Sequence, residues 1–143
     1  MYGNHETKES RAISGKILGL SPDDELTVSI LSLFELEYSR FLAATEKQTW
    51  LGKVMEQIGH DFVVAQLEKN CASIYAGLEG KLKRQRNIKP ENMKRHNIDL
   101  MIAGTALLEG CVLVGGDSVY KDIQSINPDF RLESWTVRIA FKP

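Results

Sequence analysis

The chain predicts one α/β domain, a three-layer α/β/α sandwich around a mostly parallel central sheet. Three observations carry that expectation. Segments with apolar residues at helical spacing alternate with short β-branched runs along all 143 residues. "CVLVGG", residues 111–116, is apolar at nearly every position, which fits a strand covered on both faces, as parallel strands between helix layers are. The hydrophobic fraction of 43% suits a single core, and no shift in composition marks a second domain, so residues 1–143 are read as one unit.

Taken in order, Ile13, Ile17 and Leu20 fall at i, i+4 and i+7 and predict a helix over about 6–18, closed by Gly19 and the turn "SPDDE". "LTVSILS" follows as a strand, with Leu26, Val28 and Ile30 on one face. Ser32 and Glu35 have the spacing of a capping box and would open the next helix. Trp50, Leu51, Val54, Met55 and Ile58 form the apolar stripe of a helix over about 46–58 that ends at Gly59. "DFVVAQL" reads as a strand. From about residue 70, Cys71, Ile74, Tyr75, Leu78 and Leu82 repeat at helical spacing, and Pro90 breaks that helix or lies just past it. Asn97 is an N-cap for a helix facing inward with Ile98, Met101, Ile102, Thr105 and Leu108, whose small Ala103, Gly104 and Ala106 permit close packing on a sheet. Gly110 ends it. "CVLVGG" and "RLESWTV" supply two more strands, and the tail "TVRIAFKP" alternates Val137, Ile139 and Phe141 with polar or small residues, a pattern suited to an edge strand or an oligomer contact.

No apolar run approaches the length of a membrane span, and the first twenty residues do not resemble a secretion signal, so a soluble cytoplasmic protein is expected. Cys71 and Cys111 sit among apolar neighbours with no CxxC pair, which predicts reduced core thiols. Net charge is -1 overall, but it is unevenly spread. Residues 81–96, "KLKRQRNIKPENMKRH", carry a net +6 and leave the remainder at -7. Such a segment is either a solvated face or, if it binds anything, a site for phosphate backbones.

In open parallel sheets, ligands gather outside the carboxyl ends of the strands. Glu35 follows "LTVSILS", Asp117 follows "CVLVGG", and Asp99 opens the helix that descends from that edge before the strand climbs back to it. All three acids are thus expected on one edge. Each also has an ordinary structural explanation: Glu35 in a capping box, Asp99 near a helix N-terminus, Asp117 as an N-cap or turn residue. Clustered carboxylates repel one another, and a hard divalent cation such as Mg²⁺ or Mn²⁺ relieves that repulsion and can activate water at a phosphate.

"VSILSLFELEYS", "HNIDLMIAGTALLEG" and "VLVGGDSVYKDI", followed by "LESW", resemble in order and spacing the PIN-domain ribonucleases, especially the VapC-type toxins of toxin–antitoxin pairs. The resemblance covers about residues 26–135. It implies a PIN-like sandwich and a Mg²⁺- or Mn²⁺-dependent endoribonuclease, with the family's acids falling on Glu35, Asp99 and Asp117 and an auxiliary hydroxyl on Ser118; the further acid that many members carry is Val119 here. It also implies an antitoxin partner and a tendency to dimerise. Lys81, Arg84, Arg86 and Arg95 are expected to steer and clamp RNA, and Tyr2, Tyr38 and Tyr120 are the aromatic candidates for stacking on bases, against the alternative that they are core.

The family opens with an apolar strand ending in aspartate, and this sequence has no counterpart to it: "MYGNHETKESRAISGKI" resembles what comes after that strand, with Glu6 and Glu9 on an exposed helix. The expectation is that in-frame codons just upstream of Met1 encode the strand; a partner-supplied strand and a rearranged sheet are the alternatives. Three of four metal-binding acids remain, so the rival reading is a PIN scaffold that binds RNA or protein without cutting. A P-loop NTPase is disfavoured, because "VGGDS" lacks the lysine and spacing.

Overall fold

The computed structural model describes residues 8–87 and 89–135. Tyr2, Glu6 and the tail pattern of Val137, Ile139 and Phe141 lie outside the described residues, as does the side chain of Glu9. Among the described residues seven helices and four short strands follow in the order α1 (Lys8–Leu18), β1 (Thr27–Ser29), α2 (Ile30–Leu42), α3 (Thr45–Asp61), β2 (Val63–Ala65), α4 (Cys71–Arg86), α5 (Pro90–Met93), α6 (Asn97–Glu109), β3 (Val112–Val114), α7 (Ser118–Ile126) and β4 (Arg131–Glu133), with a 3₁₀ turn at Lys94–His96 between α5 and α6.

Several local expectations shift by a few residues, each for a physical reason. Strand β1 ends at Ser29, which pairs with Ala65 as the last rung of its ladder. Ser29 is extended, and its Oγ accepts a hydrogen bond from the N–H of Leu31 at 3.1 Å. The helix therefore caps on Ser29 rather than Ser32, and Glu35 lies in the second turn of α2, outside any capping box. Helix α3 runs through Gly59 to Asp61, a glycine inside a helix costing only about 1 kcal/mol against alanine. Asn97 is the first residue of α6 rather than its cap, because the 3₁₀ turn leads straight into the helix and the side-chain Oδ1 of Asn97 accepts from the Tyr75 hydroxyl at 3.1 Å. Two boundaries fall where expected: Pro90 begins α5 just past α4, and Gly110 closes α6 at φ +66°, a conformation that glycine adopts without steric cost.

The core is built around α4, α6 and α7. Leu78, Leu82, Leu100, Ala103, Ile123 and Phe130 are its most enclosed apolar members. The buried residues of α6 are Leu100, Ala103, Gly104 and Thr105, so the helix is rotated from the predicted face. Its small residues meet a helix, not the sheet: a Cβ on Gly104 would stand 3.0 Å from Cys71 Sγ and 3.6 Å from the backbone nitrogen of Tyr75. Cys71 is buried and Cys111 half-buried, and both are free thiols.

Among the described residues the strands form two parallel pairs, β1 with β2 and β3 with β4. The parallel sense agrees with the sequence, and among the described residues the two pairs are not joined by a strand between them. Strand β3 is correspondingly less covered than its composition implies. Leu113 is buried, whereas Val112 and Val114 are 39% and 45% exposed. Those two valines line a cleft of about 680 Å³ that is also lined by all three residues of β1. Leu113 packs into the core, while Val112 and Val114 face the space between the two pairs.

Candidate functional site

Asp99 lies in the first turn of α6 and is half-buried. Its Oδ1 accepts a hydrogen bond from the Tyr120 hydroxyl at 3.1 Å. Asp117 occupies the N-cap position of α7, but its carboxylate makes no capping hydrogen bond. Glu35 is exposed on α2, away from any cap. Glu35 therefore lies outside a capping box, whereas Asp117 holds the expected N-cap position without a side-chain cap bond, its charge facing the positive end of the helix dipole.

Tyr120 is the hydrogen-bond partner of Asp99. Its ring is buried, stacked at a tilt on Phe130 with centroids 6.4 Å apart, and it lies so close to Gly115 that a Cβ there would stand 2.9 Å from the ring. Burial raises the phenol pKa above its usual range, and the negative charge of Asp99, the hydrogen bond to it, and the more distant charges of Asp117 and Glu35 push in the same direction. Of the three acids, Asp99 alone has a hydrogen bond to this phenol; Asp117 and Glu35 add smaller electrostatic pushes. Tyr120 is a core residue and not a base-stacking platform; Tyr38, by contrast, is 58% exposed and stacks on Phe34.

The raised Tyr120 pKa has a signed consequence. A phenol harder to ionise in the folded chain contributes stability that is complete below its unfolded pKa, near 10, and is lost as pH rises through the folded value. Tyr120→Phe is expected to flatten the fall of the melting temperature between pH 10 and more alkaline buffers; identical pH profiles for both chains would rule this out.

The basic segment arrives at the same end of α6. Cys71 Sγ lies 3.7 Å from Thr105 Oγ1, while Tyr75, four residues on, reaches Asn97, so α4 and α6 run antiparallel. The second half of α4, with Lys81, Arg84 and Arg86, is thereby carried toward the α6 N-terminus, and Arg95 sits in the turn that leads into it. Lys81, Arg84 and Arg95 are exposed; Arg86 makes an ion pair with Asp122 of α7. Ser118, the first residue of α7, is exposed beside Asp117.

Among the described residues no three acidic, histidine or cysteine side chains are close enough to enclose a metal ion directly. Mg²⁺ keeps several of its waters and is commonly held by only one or two carboxylates. Sequence reasoning missed Tyr120 as the partner of Asp99 and Gly115 as the space that admits its ring. The "GG" before Asp117 was the only available signal, and it says nothing about a hydroxyl.

No family model matches the sequence, and no curated protein matches it either. The fold is nonetheless that of solved structures. The chain superposes on a crystal structure of VapBC2 from Rickettsia felis bound to a DNA fragment from their promoter, with a TM-score of 0.70, 22% identity, and coverage of 87% of this chain and 86% of that one. A structure of VapBC-1 from nontypeable Haemophilus influenzae gives 0.69 at 22% identity, covering 87% and 85%. DNA-bound VapBC from Salmonella typhimurium gives 0.62 at 20% identity, covering 92% and 87%. The α/β fold with parallel strands, and its likeness to the VapC PIN domain, agree with the resemblance in the sequence. Among the described residues no helix is long and apolar enough to cross a membrane.

Proposed function

We propose that this chain is a Mg²⁺- or Mn²⁺-dependent endoribonuclease of PIN type and the toxin of a toxin–antitoxin pair. The observation that supports the reading is the likeness in fold to the VapBC structures, together with the orientation of Asp99 by the Tyr120 hydroxyl. Glu35, Asp99 and Asp117 would hold the divalent ion, which when bound lowers the pKa of a water and offsets charge on the scissile phosphate. Asp99 is held in place by the Tyr120 hydroxyl, so one carboxylate is oriented before any ion arrives. Asp117 and Glu35, both exposed, remain accessible to ion and substrate. Ser118 offers a hydroxyl beside Asp117, and Lys81, Arg84, Arg86 and Arg95 bind the RNA backbone. Incubation of the purified chain with structured RNA, with Mg²⁺ or Mn²⁺ and then with chelator, tests the activity.

The contacts assigned to the basic side chains are electrostatic and sequence-independent. Lys81→Ala and Arg84→Ala are each expected to lower the slope of log affinity against log salt by about 0.7 to 1, equally for unrelated RNA sequences. A sequence-selective loss would contradict backbone binding.

One observation favours a second reading, that of a scaffold which binds RNA or protein without cutting: among the described residues no three ligands close directly on a metal. Either reading accommodates a protein partner. The similar structures are VapBC complexes, and here Phe34, Tyr38, Phe41, Leu42 and Trp50 leave a large exposed apolar surface on α2 and α3. Surfaces of this kind mark protein contacts, which supports an antitoxin or a second copy of the chain as the occupant.

A further inference from the structure

Helix α6 starts without a side-chain cap. The residue before it, His96, makes no capping hydrogen bond, and the N–H of Asn97 turns back to the carbonyl of Lys94 in the preceding 3₁₀ turn. Two side chains of the first turn are held instead by tyrosines from neighbouring helices. The Tyr75 hydroxyl of α4 donates to Asn97 Oδ1, and the Tyr120 hydroxyl of α7 donates to Asp99 Oδ1, both at 3.1 Å. Each anchor is itself fixed by packing: Tyr120 is buried against Phe130, and Tyr75 is half-buried against the core cluster. Glu79, one turn beyond Tyr75 on α4, stands beside the same hydroxyl as the other acceptor within its reach.

The placement of these two bonds decides what they do. Each helical residue advances about 100° around the axis, so side chains two apart leave the helix on nearly opposite sides. A bond on one side alone leaves the turn free to roll, whereas bonds on both sides, from two helices that each pack on α6, fix its rotation. Side chains reach about 5 to 6 Å from a helix axis, so a roll of about 20° would carry the Asp99 carboxylate roughly 2 Å. A misplacement of about 1 Å at a reacting centre can cost about 100-fold in rate. We propose that Tyr75 is a positioning residue: acting through Asn97, it locks the rotation of the first turn of α6 against the Tyr120 anchor and so sets where the Asp99 carboxylate points. The lock stands on the two hydrogen bonds alone, while its effect on cleavage rests on the nuclease reading.

Amide hydrogen exchange of the isotopically labelled 143-residue chain, read by NMR, tests the lock. The N–H groups of Met101 and Ile102 donate to carbonyls of the first turn, and those of Ala106 and Leu107 report the later half of the same helix. Tyr75→Phe should speed exchange at Met101 and Ile102 about 5-fold, the worth of one hydrogen bond, and leave Ala106 and Leu107 unchanged. Asn97→Leu, which keeps the bulk of the side chain without its acceptor, should do the same, and the double variant should be no faster than either single one. Glu79→Ala should change nothing. Unaltered exchange in Tyr75→Phe, a uniform rise along the helix, additive effects in the double variant, or a Glu79→Ala effect equal to that of Tyr75→Phe overturns the proposal. With RNA and Mg²⁺ or Mn²⁺, Tyr75→Phe should lower kcat about 10-fold at unchanged KM, whereas loss of a basic contact raises KM. A parent chain that cleaves nothing defeats the nuclease reading and leaves the exchange result to decide the lock. An active parent whose kcat is unmoved by a faster-exchanging turn defeats the positioning role.

Discussion

Asp99→Asn is expected to reduce metal-supported cleavage of structured RNA by about 100-fold or more while leaving thermal unfolding nearly unchanged. Asparagine keeps an oxygen able to accept from the Tyr120 hydroxyl, so the change removes a charge and little else from the site. Loss of cleavage in the variant and with chelator, alongside an active parent, supports the metal-dependent reading. A variant as active as the parent sinks the assignment of Asp99. If the parent chain cleaves nothing with either Mg²⁺ or Mn²⁺, the scaffold reading prevails. The three outcomes are read from the same gel.

Phe130→Ala should be the most destabilising single substitution considered. Phe130 is 2% exposed, belongs to the central cluster and supports the Tyr120 ring. Truncating a buried phenylalanine costs about 3 to 5 kcal/mol, which for a domain of this size lowers the melting temperature on the order of 10 °C. The milder Phe130→Leu should retain most of the stability. A loss under about 1 kcal/mol in Phe130→Ala, measured by denaturant unfolding, would show that the core does not centre on α4, α6 and α7. Because Phe130 and Asp99 contact the same tyrosine, their effects on metal binding should be non-additive.

How much was legible in the sequence depended on the range of the interactions involved. Gly110 announces the end of α6 because a left-handed residue at a helix end is a local requirement, written in one glycine. Ser29 and Ser32 are both plausible caps by local chemistry. The choice between them was made by a strand partner more than thirty residues away, since the ladder ends at Ser29 against Ala65. The apolar run of β3 was correctly read as a strand, but burial on both faces could not follow from composition alone, because Val112 and Val114 face a cleft whose other wall is β1.

The site shows the same division. Asp99 and Asp117 stand out in the sequence by their positions at element ends, and the turn of chain between helix and strand explains why they share an edge. That Asp117 makes no cap bond, that Glu35 belongs to no capping box, and that Tyr120 reaches Asp99 emerged only with the packing. By itself the sequence determined the order of helices and strands, the parallel sense of their pairing, and the three acids worth watching, because periodicity, turn chemistry and crossover geometry act over a few residues at a time. Tertiary structure alone decided which carboxylates are committed to other bonds and whether the strands close into one sheet, because hydrogen-bond partners and strand edges are matched between segments far apart along the chain.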